Sequence, residues 1–235
     1  MLAIYKRELR SYFKGALGYV FLVIYLAVAA VIFAYSNLFS MSSHMTAFYT
    51  FMLLFSGIAL PLLTMKSFSE ERKTKTEQLI LTAPVSLPAM VFGKFFAAYT
   101  VFGAAAIFTS LYFLLLIPYT QLQAALLIGN TLALLLVGMV FISIGLFISS
   151  VTENQLSAAI GTIAVILGFL GIGLIGNLLP SSAFLRFIFD ALSVFTRFQG
   201  FTNGYFELSS VIYYLSVAGV FLWLTIRIYD RRRYS

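Results

Sequence analysis

The chain alternates between long apolar runs and short polar segments, and the apolar runs are long enough to cross a membrane. Residues 15–65 and 95–152 contain no Asp, Glu, Lys or Arg. A spanning helix needs about 20 apolar residues, so each of these stretches has room for two helices joined at a polar break. The breaks lie at residues 42–44 and 118–121.

Two further stretches without charge, residues 154–185 and 208–226, each have room for one more span. The pattern therefore predicts an all-α membrane protein that forms a single domain over residues 1–235. The predicted transmembrane helices are six, at about 17–39, 47–65, 90–117, 124–150, 157–178 and 209–227.

The composition supports lipid as the main solvent of this chain. Of its 235 residues, 61% are hydrophobic and only 10% are charged, whereas a soluble domain has about 25% charged residues. Cysteine is absent and His44 is the single histidine, which excludes a disulfide framework and leaves too few ligands for a zinc or haem site. No metal site is predicted.

The basic residues predict the orientation. Only Arg186 and Arg197, of the 15 Lys and Arg, fall on the side opposite to the two termini. Because lysine and arginine favour the cytoplasmic side, we expect both termini in the cytoplasm. The net charge of +7 is then a topology signal that requires no nucleic acid, and it fits a bacterial inner membrane.

The first 16 residues predict an amphipathic helix that lies on the inner leaflet. Leu2, Tyr5 and Leu9 recur at helical spacing, with Lys6 and Arg10 among the remaining positions. This helix either anchors the first span or contacts a partner. The first apolar run is too long for a signal peptide, so we expect it to be retained.

Residues 66–84, KSFSEERKTKTEQLILTAP, form the one strongly charged segment between two apolar runs. Ser67 and Glu70 have the spacing of a capping box, and Pro84 stops a helix. The segment predicts a short helix that projects from the membrane, charged first and apolar last. A solvated charged face is one interpretation; the apolar end, with Leu79 and Ile80, favours a surface that binds a partner.

Two other polar segments lie between predicted spans. Glu153 and Asn154 lie in a short loop on the same side as the charged segment and predict a second, smaller contact there. Residues 179–208 are rich in phenylalanine and predict external or re-entrant helices. This segment either caps the fold or contacts a substrate.

Small residues and a proline within the spans suggest close helix packing or a pathway that changes shape. They are Gly161, Gly168 and Gly171 in the fifth span, with Gly57 and Pro61 in the second. Small residues let helix backbones approach closely in lipid, within one chain or between two copies. The pattern leaves both interpretations open.

Catalytic motifs are missing from the chain. It has no G-x-x-x-x-G-K-S/T sequence, no H-E-x-x-H and no G-x-S-x-G. No acid or base lies in the middle of a predicted span, where ion-coupled carriers keep one. We therefore expect neither an enzyme nor a secondary carrier, and any transport draws its energy from another protein.

Three segments carry a resemblance to a known family. Residues 64–86, TMKSFSEERKTKTEQLILTAPVS, resemble the coupling-helix pattern E-E-R/K-x-x-G-T-x-E-x-L-L-x-x-P of type-2 ABC exporter permeases. Residues 6–13, KRELRSYF, resemble the family's K-R-E-L-x-x-Y-F start. Residues 197–204 and 211–216 are similar to the GldF-like branch. Lys75 departs from the pattern, which often has glycine there.

The resemblance implies a transporter with two permease chains and two separate ATPase subunits, which bind ATP and Mg²⁺. This chain would hold no cofactor and no catalytic residue, and its helix at 66–84 would dock in a cleft of an ATPase. The implied docking residues are Phe68, Glu70, Glu71, Arg72, Lys73, Thr76, Glu77, Leu79 and Ile80, with Glu153 and Asn154 as the second contact.

The resemblance leaves the partner and the task open. The chain pairs with a second copy of itself or with a GldG-like membrane subunit. It either exports a substrate or passes ATP-driven motion to an envelope complex in which nothing is transported.

Overall fold

The structure is a computed structural model that describes residues 1–41, 44–77, 86–119, 123–178 and 193–233, without the side chains of residues 173–178. Within these ranges the regular elements are helical and no strand occurs. The elements are α1 (Leu2–Lys14), α2 (Leu17–Phe33), α3 (Thr46–Thr64), α4 (Lys66–Lys73), α5 (Leu87–Ser110), α6 (Ala124–Val151), α7 (Gln155–Leu178), α8 (Val194–Thr202) and α9 (Leu208–Arg233). A π-helical turn, Ala34–Phe39, extends α2, and a 3₁₀ turn, Leu111–Leu116, extends α5.

The predicted number of spans is confirmed. Within the described ranges, six helices are long and apolar enough to cross a membrane. They run over Leu17–Phe39, Thr46–Lys73, Leu87–Leu116, Ala124–Val151, Gln155–Ile172 and Leu208–Arg233. A helix also occupies the predicted N-terminal segment, although its place at a membrane interface stays a prediction.

One proline and one glycine lie at helix boundaries, and a second proline lies inside a helix. Pro88 occupies the first turn of α5, where its missing N–H loses no hydrogen bond. Gly15 follows the last residue of α1 and its N–H binds the Ser11 carbonyl. Pro61 lies inside α3 and removes one backbone hydrogen bond from it.

Helices α3 and α6 form the centre of the bundle. In the most apolar 18-residue stretch of each span, 61% of the residues are buried inside the protein for the span that contains α3 and 67% for α6. The corresponding fractions are 28% for the span that contains α2 and 22% for α9. The outer helices leave large apolar side chains exposed, such as Val31 and Trp223. In a helix that crosses a bilayer these side chains face lipid.

Two glycines of α6 allow neighbouring helices to approach closely. A Cβ atom on Gly138 would lie 1.9 Å from Cε1 of Phe102 on α5, and one on Gly145 would lie 2.1 Å from Oγ1 of Thr64 on α3. Any larger side chain would push these helices apart. The small residues thus fix the centre of the bundle.

Polar side chains within the spans bind one another. The Tyr25 hydroxyl lies 2.8 Å from Oγ of Ser56, which joins α2 to α3. Tyr49 reaches Oγ1 of Thr131 at 2.9 Å and Oγ of Ser110 at 3.2 Å, which joins α3, α5 and α6. Such pairs satisfy groups that would otherwise cost free energy in an apolar environment.

The described part of the predicted external segment packs onto the bundle. Ser193 caps α8 by accepting a hydrogen bond from the Thr196 N–H at 3.0 Å. The Tyr214 hydroxyl donates a 2.9 Å hydrogen bond to the Val194 carbonyl and ties α8 to α9. The buried apolar side chains of α8 are Val194, Phe198 and Phe201. Residues 179–192 of the predicted segment lie outside the described residues.

Candidate functional site

The charged segment begins as a direct continuation of the second span. Met65 joins α3 to α4 with helical backbone angles, φ −55° and ψ −32°. Ser67 therefore lies inside a helix, and its side chain makes no N-terminal cap hydrogen bond. The predicted capping box does not form. We call the end of the bundle that carries α1, α4, residues 152–154 and the end of α9 the basic end.

Helix α4 ends earlier than the predicted helix over 66–84. Oγ1 of Thr74 donates to the Glu70 carbonyl at 2.8 Å, and Lys75 then turns the chain with φ +57°. A residue with a Cβ atom adopts this left-handed conformation at a cost of about 1–2 kcal/mol, which glycine avoids. Lys75 thus holds a backbone conformation that suits the glycine of the family pattern. Residues 78–85 lie outside the described residues.

The inner face of α4 is fixed to the end of α6 and to α9. Backbone N–H groups of Phe68 and Ser69 both donate to Oγ of Ser149, each at 3.1 Å, and Ser149 donates to the Met65 carbonyl at 3.1 Å. The Phe68 ring is fully buried, with its centroid 5.0 Å from that of Tyr229. In this structure Phe68 is a packing residue, away from the exposed surface.

A buried ion cluster joins α4 to α5. Nζ of Lys94, whose side chain is 2% exposed, lies 2.7 Å from Oε1 of Glu71 and donates to the Ser67 carbonyl at 2.6 Å. The same Nζ lies 4.9 Å from the centre of the Phe68 ring. These three contacts offset the cost of burying the ammonium, because desolvation of a lone charge costs several kcal/mol.

Helix α1 completes the ion cluster. Oε1 of Glu8 lies 3.5 Å from Nζ of Lys94, and Arg7 bridges Glu8 at 2.6 Å and Glu71 at 3.4 Å. We define the ion cluster as Arg7, Glu8, Glu71 and Lys94. The two positive and two negative charges of the cluster cancel, so α1, α4 and α5 share one ion network without net charge.

Tyr12 gives α1 a second link to the base of α4. Its hydroxyl donates to the Leu63 carbonyl at 3.4 Å and lies 3.4 Å from Oγ of Ser67. Burial and the nearby Glu8 carboxylate raise the pKa of Tyr12 to about 12, although the hydrogen bond to Ser67 lowers it. The phenol is therefore protonated at neutral pH and acts as a hydrogen-bond donor.

Arg72 connects α4 to the loop that precedes α7. Its guanidinium lies 2.8 Å from Oε1 of Glu153 and also donates to the Val151 carbonyl. The Glu153 side chain is 69% exposed, so solvent weakens this ion pair to at most about 1 kcal/mol. The hydrogen bond to the helix end adds a direct contact with α6.

Glu77 connects the turn after α4 to the end of α9. Its Oε1 accepts from Nη1 of Arg232 at 3.1 Å, and Nη2 of Arg232 donates to the Ser150 carbonyl at 2.8 Å. Both side chains are largely buried, at 13% and 26% exposure. The last turn of α9 thus contacts both the turn after α4 and the end of α6.

The outer face of α4 and its turn is exposed and polar. Glu70, Lys73, Thr74, Lys75 and Thr76 are exposed. Among the described residues, Glu70 and Lys73 make no ion pair, and Glu71 pairs with Arg7 and Lys94. The segment therefore has one face that packs on the bundle and one face that is free.

The predicted docking residues separate between these two faces. Glu70, Lys73 and Thr76 lie on the outer face, whereas Glu71, Arg72 and Glu77 bind residues of the bundle. Leu79 and Ile80 lie outside the described residues. Of the predicted second contact, Glu153 binds Arg72, and Oδ1 of Asn154 accepts from the Leu156 N–H at 3.0 Å at the start of α7.

The residues predicted for packing or a pathway differ in their surroundings. A Cβ atom on Gly57 would lie 3.2 Å from Ile166, and one on Gly161 would lie 3.3 Å from Ile148. No described atom lies within 4 Å of a Cβ on Gly168 or Gly171. Pro61 is buried within α3.

Sequence reasoning missed the residues that hold α4 from the other helices, above all Lys94, Ser149 and Arg232. In the predicted orientation Lys94 is only one of the basic residues on the side of the two termini. The signal available in the sequence was its position, because it is the one charge within the predicted third span, next to Gly93. A charge inside a span requires a buried partner.

The described residues contain no group of three or more His, Cys, Asp or Glu suited to a metal ion. The six spans and the contacts at the basic end define the class of the protein. It is a multi-pass helical membrane protein in which a short polar helix, α4, is held at one end of the bundle by contacts with other helices. The family model described as ABC-2 family transporter protein matches residues 28–227. The chain belongs to this family and is an ABC-2 type membrane permease. No curated protein matches the chain.

Proposed function

We propose that α4 is a coupling helix on which a separate ATPase subunit docks, and that this chain is the subunit that moves when ATP is hydrolysed. The observation that carries the proposal is the division of α4 into two faces. Its outer face presents Glu70 and Lys73, which have no ion-pair partner among the described residues, while its inner face binds α1, α5, α6 and α9. A displaced α4 would take these helices with it.

ATP and Mg²⁺ would then bind only to the ATPase subunits, two in each complex, and this chain would supply no catalytic group. The basic end would lie in the cytoplasm of a bacterial cell, where ATP is available. The concentration of lysine and arginine at that end supports this orientation. Export is the direction that the resemblance of residues 64–86 favours.

A charge swap on the outer face tests the docking proposal. We expect Glu70→Lys combined with Lys73→Glu to reduce stimulation of the ATPase about tenfold, because like charges would then face each other across the contact. The swap leaves the net charge and the buried ion cluster unchanged. ATP hydrolysis by the reconstituted complex is the measurement.

The matched control is Arg227→Asp combined with Asp230→Arg, which also preserves the net charge and lies near the end of α9. These two residues pair at 3.6 Å and are exposed or half-exposed. Full stimulation in the Glu70 and Lys73 swap, or an equal loss in the control, would contradict docking on α4.

Single cysteines test the orientation, because the natural chain contains none. We expect Lys73→Cys to react with an impermeant thiol reagent only from the cytoplasmic side, and Asn203→Cys only from the other side. Both residues are exposed and they lie at opposite ends of the bundle. The reverse labelling pattern would invert the proposed topology.

For the partner, we propose a second permease chain, either another copy or a GldG-like subunit. The exposed faces of Gly168 and Gly171 support a helix contact outside this chain. Purification from the native membrane with intact mass measurement would count the chains. One permease with a larger membrane subunit and no cavity between them would favour the alternative, in which the complex transmits motion and transports nothing.

A further inference from the structure

A groove of about 1480 Å³ opens at the basic end between α1, α2 and α3. It exceeds the range of about 300–1,000 Å³ that is usual for pockets that bind drug-sized ligands. The groove changes character along its length. Its mouth is lined by basic side chains, and its inner part is lined by apolar side chains of the first two spans.

The basic mouth consists of Lys6, Arg10 and Lys14 on α1 and Lys66 on α4. The three residues of α1 are four positions apart, so they share one face of that helix. All four side chains are exposed, and none has an ion-pair partner among the described residues. Glu70 also lines the groove, but one carboxylate leaves an excess of positive charge at the mouth.

The other charges of the groove are already neutralised. Arg7 binds Glu8 and Glu71, and Lys94 binds Glu71. The free cations of the mouth are therefore not needed to balance the ion cluster. They remain available for an anion from outside the chain.

The apolar wall consists of Val20 and Ile24 on α2 and Ile58 and Leu62 on α3. These side chains are 50%, 51%, 49% and 47% exposed, respectively, and they line the same groove as the basic mouth. All four lie within helices that are long and apolar enough to cross a membrane. A free anion would gain nothing from this wall, whereas hydrocarbon chains would cover it.

We propose that this groove holds one anionic phospholipid of the surrounding leaflet, with its phosphate at the basic mouth and its acyl chains along the apolar wall. Lysine and arginine beside a membrane attract anionic headgroups, and their long side chains reach the phosphate level. Binding needs neither the ATPase nor transport. The proposal therefore fails or holds independently of docking on α4.

The test is the amount of lipid retained by the purified chain from bilayers that contain equal amounts of phosphatidylglycerol and phosphatidylcholine, measured by native mass spectrometry. We expect the natural chain to retain phosphatidylglycerol at least about fivefold over phosphatidylcholine, about 1 kcal/mol of preference. The variant with Lys6→Gln, Arg10→Gln and Lys66→Gln should lose this preference. The control with Lys73→Gln, Lys75→Gln and Arg233→Gln has the same change in charge outside the groove and should keep it.

A second pair of variants tests the apolar wall. Ile58→Trp places a large ring in the groove and should expel the lipid, whereas Val31→Trp, at a 69% exposed position of α2 outside the groove, should not. Equal loss in both triple variants would overturn the proposal in favour of general attraction to the leaflet. Retention in Ile58→Trp, or displacement of the lipid by inorganic phosphate, would also overturn it.

Discussion

Lys94→Met is expected to lower the free energy of unfolding by about 3–5 kcal/mol, the usual effect of breaking a buried ion pair from one side. The methionine keeps most of the length of the side chain but removes the ammonium that donates to the Ser67 carbonyl and to the Glu71 carboxylate, so Glu71 retains only its 3.4 Å contact with Arg7. The same change should loosen α4 from α5 and reduce ATPase stimulation. Thermal unfolding in detergent and ATP hydrolysis are the two measurements.

A double-mutant cycle separates the ion cluster from general loss of packing. Glu71→Gln added to Lys94→Met removes the opposite charge, so the double variant should recover part of the stability, with a coupling energy of about 1–3 kcal/mol. Lys73→Met is the control for stability, since Lys73 is exposed and its loss should change stability by less than about 0.5 kcal/mol. Simple additivity of Lys94→Met and Glu71→Gln would exclude a shared network.

Gly138→Leu is expected to prevent assembly of the bundle, and Gly138→Ala to destabilise it by about 1–3 kcal/mol. The reason is the Phe102 ring, which lies 1.9 Å from the position of the new Cβ atom, so α5 would have to move away from α6. The yield of monodisperse protein and its thermal unfolding report the effect. Gly145→Ala should behave like Gly138→Ala through its contact with Thr64.

The matched control lies on the same helix. Gly129 also belongs to α6, but no described atom lies within 4 Å of a Cβ placed there. Gly129→Ala should therefore be neutral or stabilise by up to about 1 kcal/mol, because alanine favours helix more than glycine does. If Gly138→Ala and Gly129→Ala had the same sign, close helix approach would not explain Gly138.

The number and the positions of the spans were predictable because each span can be recognised from its own sequence, without knowledge of the helices that pack against it. Long stretches without charge are sufficient to place a transmembrane helix, and proline or a polar break marks its ends. The position of α4 was predictable for the same reason, since a run of charges cannot remain in lipid. Its length and its start were not, because they depend on whether the second span continues as a helix through Met65.

The contacts of the candidate site were mostly beyond prediction from the sequence. Which side of α4 is buried depends on the helices that lie against it. Ser149 is 80 residues from its partner Ser69 along the chain, and Arg232 is 155 residues from its partner Glu77. The glycines show the same limit. The sequence points to glycines of the second and fifth spans, whereas the closest approaches occur in the fourth span, where Gly138 faces Phe102 and Gly145 faces Thr64.

The continuity of α3 with α4 gives the chain a lever. Together they run from Thr46 to Lys73, which is 28 residues, or about 42 Å of helix at 1.5 Å for each residue. A tilt of about 10° around the middle of such a rod would move each end by about 3–4 Å, in opposite directions. Pressure applied at Lys73 would then be felt near Thr46 as an opposing swing, so one face of the membrane would open as the other closes.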